Sequence, residues 1–127
     1  MKRATLEIAP QPLIEREEKD SFASLYQLYK IDQTGSVASF LRDHPYFIEI
    51  LFETHRHIKR VFGQHLVEVC LESDRDPEED FDGLSVIVRT NLSPESSLDL
   101  LEKFDEEWWL DLDDEIRTVL TVMVRPI

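Results

Sequence analysis

Three groups of side chains have types and spacings that could do chemistry. The first is Asp74, Asp76, Glu78, Asp80 and Asp82, acids at alternating positions within a nine-residue stretch that holds six of them. That density of hard oxygen donors suits a divalent cation, and the stretch superficially resembles a calcium-binding loop. It departs from that pattern at two places: Glu79 stands where the sharp turn needs glycine, and Ser85 where a bidentate glutamate closes the shell. The second group is Glu53 and His57, four residues apart, which a helix would present on one face as two metal ligands or as a general base with its orienting partner. No third ligand follows from the spacing of His44, His55 or His65. The metal candidates are thus Asp74, Asp76, Asp80, Asp82, Glu53 and His57.

The third group lies in residues 105–115, where seven of eleven side chains are acidic around Trp108 and Trp109. Glu106, Trp109, Asp111 and Asp113 form a candidate docking surface for a basic protein, together with Asp74, Asp76, Glu78, Asp80 and Asp82. An indole beside carboxylates is a favoured interface anchor, because it combines apolar area with one donor. Trp108 continues a buried helical stripe. Trp109 points about a third of a turn away, either toward a partner or onto its own Leu110 and Leu112.

Catalytic and cofactor chemistry finds little support. Glycines at 35, 63 and 83 are too scattered for a phosphate-binding loop. Cys70 has no Cys or His at motif spacing, which favours an inert thiol over a nucleophile. No catalytic residue and no cofactor is assigned.

The elements that must position these residues follow from periodicity. The 127 residues suffice for one core. Residues 1–20 combine Pro10, Pro12 and the charge run 15–20, and residues 1–35 read as an N-terminal extension, helical over 21–31 or mobile. The α+β domain spans residues 36–127. Ser36 caps a short helix that ends at His44, since Pro45 disfavours helical geometry before it. Phe47, Ile48, Leu51, Phe52, His55, Ile58, Val61 and Phe62 keep the helical period, and Gly63 stops it. Residues 65–73 and 84–91 alternate as two hairpin strands, with Val67, Val69, Leu71, Leu84, Val86 and Val88 toward the core. Ser93 and Pro94 open a helix whose stripe is Leu98, Leu101, Phe104 and Trp108. A last strand over 116–125 turns Leu120, Val122 and Val124 inward.

Helix, strand, strand, helix, strand predicts a three-stranded antiparallel sheet in the order 2-1-3. This is a split β-α-β, half-ferredoxin-like arrangement with helices on one face. Leu66, Cys70, Ile87, Val119 and Met123 would fall on the opposite face, which is more apolar than a solvated face needs. The N-terminal segment, or a homodimer joined through this second sheet face, would cover it. Both acidic stretches would meet at one end of the sheet.

His44-Pro45 at a helix start, the hairpin, and Phe104-Asp105-Glu106-Glu107-Trp108-Trp109 before the last strand together resemble small uncharacterised bacterial proteins, often cyanobacterial. The likeness covers roughly residues 36–127 and brings no activity, cofactor or site with it.

Charge bounds the partners. Twenty-seven acids against fourteen Lys and Arg give a formal net charge of -13, which repels nucleic-acid phosphates and anionic membranes. One cysteine, no signal-peptide pattern and no long apolar run indicate a cytoplasmic setting. The expectation is a non-enzymatic interaction protein that docks a basic partner through its acidic end. A metal-binding or metal-regulated protein using the same acids is the first alternative, and a self-associating structural module the second.

Overall fold

The computed structural model describes residues 22–31, 34–76 and 81–127. The charge run and prolines before them, and Glu78, Glu79 and Asp80 of the hairpin, lie outside the described residues. A helix over 22–28 (α1) is followed by α2 (Thr34–Asp43), α3 (Tyr46–Phe62), β1 (Leu66–Asp76), β2 (Phe81–Thr90), α4 (Pro94–Glu107), α5 (Asp114–Val119) and β3 (Leu120–Val124). Short 3₁₀ turns at Gly63–His65 and Trp109–Asp111 join α3 to β1 and α4 to α5. Gly63 has φ +51°, a left-handed geometry that costs glycine little and ends α3 where the period stops.

The sheet is mixed, not antiparallel, and its order is β1-β2-β3. The third strand does run in the direction of the second, as the helix between them requires, but it lies beside β2 instead of β1. Two facts account for this. The outer edge of β1 is already occupied: Lys30 N–H donates to the Val69 carbonyl at 2.8 Å, and Leu71 N–H donates to the Lys30 carbonyl at 2.9 Å. A strand-helix-strand crossover also lands naturally next to the strand it left, as a parallel neighbour.

The segment before α2 also reaches the core. Leu25 and Tyr29 are fully sealed in the core, and the Tyr29 hydroxyl donates to the Leu51 carbonyl of α3 at 2.6 Å. Residues 22–31 are thus packed against the body formed by residues 36–127. These residues pack on the helical side and at the β1 edge, so the described part of the N-terminal segment does not cover the second sheet face.

One cluster holds the elements together. Leu25, Tyr29, Val37, Phe40, Leu41, Phe47, Leu51, Ile58, Phe62 and Phe104 from the helices meet Val69, Leu71, Leu84, Val86, Val88 and Leu120 from one sheet face. A bulge between Leu66 and Glu68 alters the expected alternation at the start of β1. Leu66 turns onto the core and Val67 is left 49% exposed. Val119 belongs to α5 and packs on the core, because Asp113 and Asp114 start a helical turn and postpone the strand to Leu120. The second face thus keeps only Cys70, Ile87 and Met123 of its five expected apolar residues. In α4 Leu101, Phe104 and Trp108 of the expected stripe pack on the core, and only its first position differs. Ser97 takes the inward site and shares a 2.7 Å hydrogen bond with Thr90, while Leu98 is exposed.

If residues 22–31 are integral to the core, Leu25→Ala should destabilise the protein by about 2–5 kcal/mol, as buried leucine truncations do. Urea denaturation followed by circular dichroism should show this within one cooperative transition. A loss under about 0.5 kcal/mol, typical of exposed sites, would mean that this segment detaches freely.

Candidate functional site

The acidic hairpin is more regular than its sequence suggests. The ladder continues through Asp74↔Gly83, Arg75↔Asp82 and Asp76↔Phe81, so three of the alternating acids sit in paired strands instead of on a tight loop. The ladder also separates them. The Asp74 carboxylate accepts a hydrogen bond from Ser85 Oγ, on the face away from the helices. Asp82 lies on the other side, lining a shallow groove with Ser36, Ser39 and Ser73. Asp74 and Asp82, on opposite faces of the hairpin, do not converge on one ion, which departs from the tight curve of a calcium-binding loop. Among the described residues, no group of three or more His, Cys, Asp or Glu side chains is placed to hold a metal ion.

The second acidic stretch begins against α3, where Glu107 and Trp108 meet Arg60 and His57, and leads through α5 into β3. Leu120, the first residue of β3, pairs with Leu84 near the hairpin turn, so α5 ends beside the hairpin end of β2. Ser93 caps α4 by accepting from Ser96 N–H at 3.1 Å, and α4 then runs to Glu107. Trp108 breaks the helix with φ -147° and ψ -49°. Trp109, which could face a partner or pack within its own fold, is only 8% exposed and lies nearly parallel to Phe104, with centroids 6.2 Å apart. Leu110 is turned outward and is 54% exposed. The 3.6-residue period predicts the opposite because it assumes an unbroken helix.

Around Leu110 the carboxylates divide into two sets. Glu107 meets Arg60 of α3 at 3.2 Å, and Asp114 pairs with Arg117. Glu106, Asp111, Asp113 and Glu115 are exposed and have no cationic partner among the described residues. Asp105 is half-buried, and burial, reinforced by the nearby Glu102 charge, raises its pKa above the usual carboxylate value.

The Glu53 and His57 pair is real but engaged. Glu53 accepts from Arg56, and the His57 ring is 4.0 Å from the same carboxylate. The His57 ring also stacks on Trp108, 4.5 Å between centroids and 14° from parallel. This contact ties α3 to the end of α4. Periodicity could place His57 on a helix face but could not pair it with an indole fifty-one positions away. Cys70 is half-buried, with its thiol 3.8 Å from Glu68. Burial and that carboxylate push its pKa up, which makes the thiolate scarce and the side chain a poor nucleophile.

No protein-family model matches this chain, and neither a curated protein nor a solved structure matches it. Among the described residues no helix is long and apolar enough to cross a membrane.

Burial lowers the pKa of His57 below its ordinary value, and Arg60 and Arg56 act in the same direction against Glu53 and Glu107. The unfolded chain therefore holds this proton more tightly than the folded one. The associated stability is complete above about pH 6.5 and is lost as pH falls below it toward the folded pKa. Indole emission should change with a midpoint below pH 6.5 as the imidazole over Trp108 gains its proton. His57→Gln should abolish that step, and a step that survives the substitution would assign it to another group.

Proposed function

We propose that this is a non-enzymatic interaction protein that docks a basic protein partner through the acidic connection between α4 and β3, with Leu110 as its apolar anchor. The observation that carries this reading is the exposed Leu110, set on a turn with Glu106, Asp111 and Asp113, none of them paired with a cation among the described residues. Solubility alone accounts for the acids but not for an outward leucine among them. An apolar centre with a charged rim of one sign supplies desolvation at the middle and steering around it. Asp74 and Asp82 in the hairpin ladder extend the negative field.

The buried Trp109 changes the role expected of it. It supports the turn from beneath, and the surface it holds in place is that of Leu110 and its neighbouring acids. The metal reading rests on the same acids and predicts stoichiometric heat on titration with calcium, magnesium, manganese or zinc. Partner docking predicts none.

A tagged chain expressed in its own cells should retain a basic protein at about 50 mM salt and release it near 0.5 M, where exposed charges are screened within a few ångströms. Leu110→Ser, and separately Asp111→Lys with Asp113→Lys, should each lower retention at least roughly tenfold with little change in melting temperature, a loss of about 1.4 kcal/mol. Retention indifferent to both variants would remove this surface from the reading.

A further inference from the structure

The two edges of the sheet are treated differently. The outer edge of β1 is bridged by Lys30, whereas no described strand pairs with the outer edge of β3. Arg125 N–H donates to Val88 and Ile127 N–H to Thr90, so the odd-numbered residues of this segment direct their backbone groups at β2. By alternation, the N–H and C=O of Val122 and Val124 point outward, and no described group meets them. The usual protections of an edge are missing over this length. Leu120–Val124 is Leu-Thr-Val-Met-Val, without charge, proline or bulge, and the first proline is Pro126.

We propose that this edge pairs with the same edge of a second copy, antiparallel about Met123, to form a continuous six-stranded sheet. This proposal is independent of the docking surface proposed above. The register is self-complementary. Val122 of one copy stands opposite Val124 of the other, and the two pairs exchange four backbone hydrogen bonds that use all the outward groups. β-branched residues opposite one another are favourable cross-strand neighbours. Met123 meets its own symmetry mate on the face that carries Ile87, and Thr121 lies opposite Arg125, so no two like charges are opposed.

The charges of that face fit the same arrangement. Glu68 and Glu72 sit on β1, while Arg89 and Arg125 sit on β2 and just after β3. Edge-to-edge pairing therefore keeps the β1 carboxylates of each copy at least two strand spacings, about 10 Å, from the join, a distance comparable to the screening length at about 0.1 M salt. An extended peptide from another protein could use the same backbone groups, but self-pairing accounts for the residue types at all five positions from 121 to 125.

Sedimentation equilibrium of the full chain from about 10 μM to 1 mM tests this, a range that brackets a modest interface. The expected result is a reversible dimer. Thr121 is exposed and outside the core, so its substitution reads the interface and not the fold, with circular dichroism as the check. Thr121→Glu, facing Arg125 of the partner twice per dimer, should tighten association about fivefold, and Thr121→Lys should weaken it about fivefold. Opposite shifts support the pairing. A monomer throughout the range, or a dimer that both variants leave unchanged or move in the same direction, overturns it.

Discussion

Two backbone hydrogen bonds from Lys30 to the outer edge of β1 govern how the rest of the chain is arranged. With that edge filled, the hairpin offers β3 a single place, beside β2. β2 becomes the central strand, and Gly83 to Val88 are all buried. A parallel neighbour then requires a crossover over the sheet, and α4 supplies it. The hydrophobic cluster that binds the helices to the sheet includes Phe104 of this crossover.

Much of this was legible in the residues, and the gaps have physical causes. Gly63, Ser93 and Pro94 mark element ends through local backbone chemistry and do so correctly. The core positions of β2 and β3 follow from simple alternation. Strand order was not legible, because it depends on which edge a distant segment, Lys30, reaches first. The bulge before Glu68 was equally hidden: one extra residue exchanges Leu66 and Val67 between faces without a glycine to announce it. The inward turn of Trp109 and the outward turn of Leu110 were hidden for a related reason. Periodicity carries a helix onward until a breaker appears, and Trp108 is not one by type. Its backbone leaves the helix where the Trp109 ring can be buried on Phe104.

The candidate site follows the same pattern. Composition revealed that acids gather in two stretches, and the register of β3 against β2 brings the end of α5 beside Leu84, on the hairpin side of β2. Which acids are already neutralised was not visible, because Arg60 with Glu107 is a pairing between distant helices. Such an exposed pair contributes little stability, under about 1 kcal/mol. Its effect is to sort the carboxylates: among the described residues, Glu106, Asp111, Asp113 and Glu115 have no cationic partner.

The parallel pairing of β2 with β3 also sets an order of assembly. The β1-β2 hairpin closes over the few residues 77–80, and its contacts are local and quick to form. The β2-β3 ladder must wait until residues 91–119 have folded into a crossover, and such non-local parallel pairing is slow. During that interval the inner edge of β2, with Val86 and Val88, is an open template. The carboxylates concentrated at 105–115 lie in the part of the chain still unfolded then. A chain with a formal net charge of -13 repels its own copies, which opposes association through that edge while it is open.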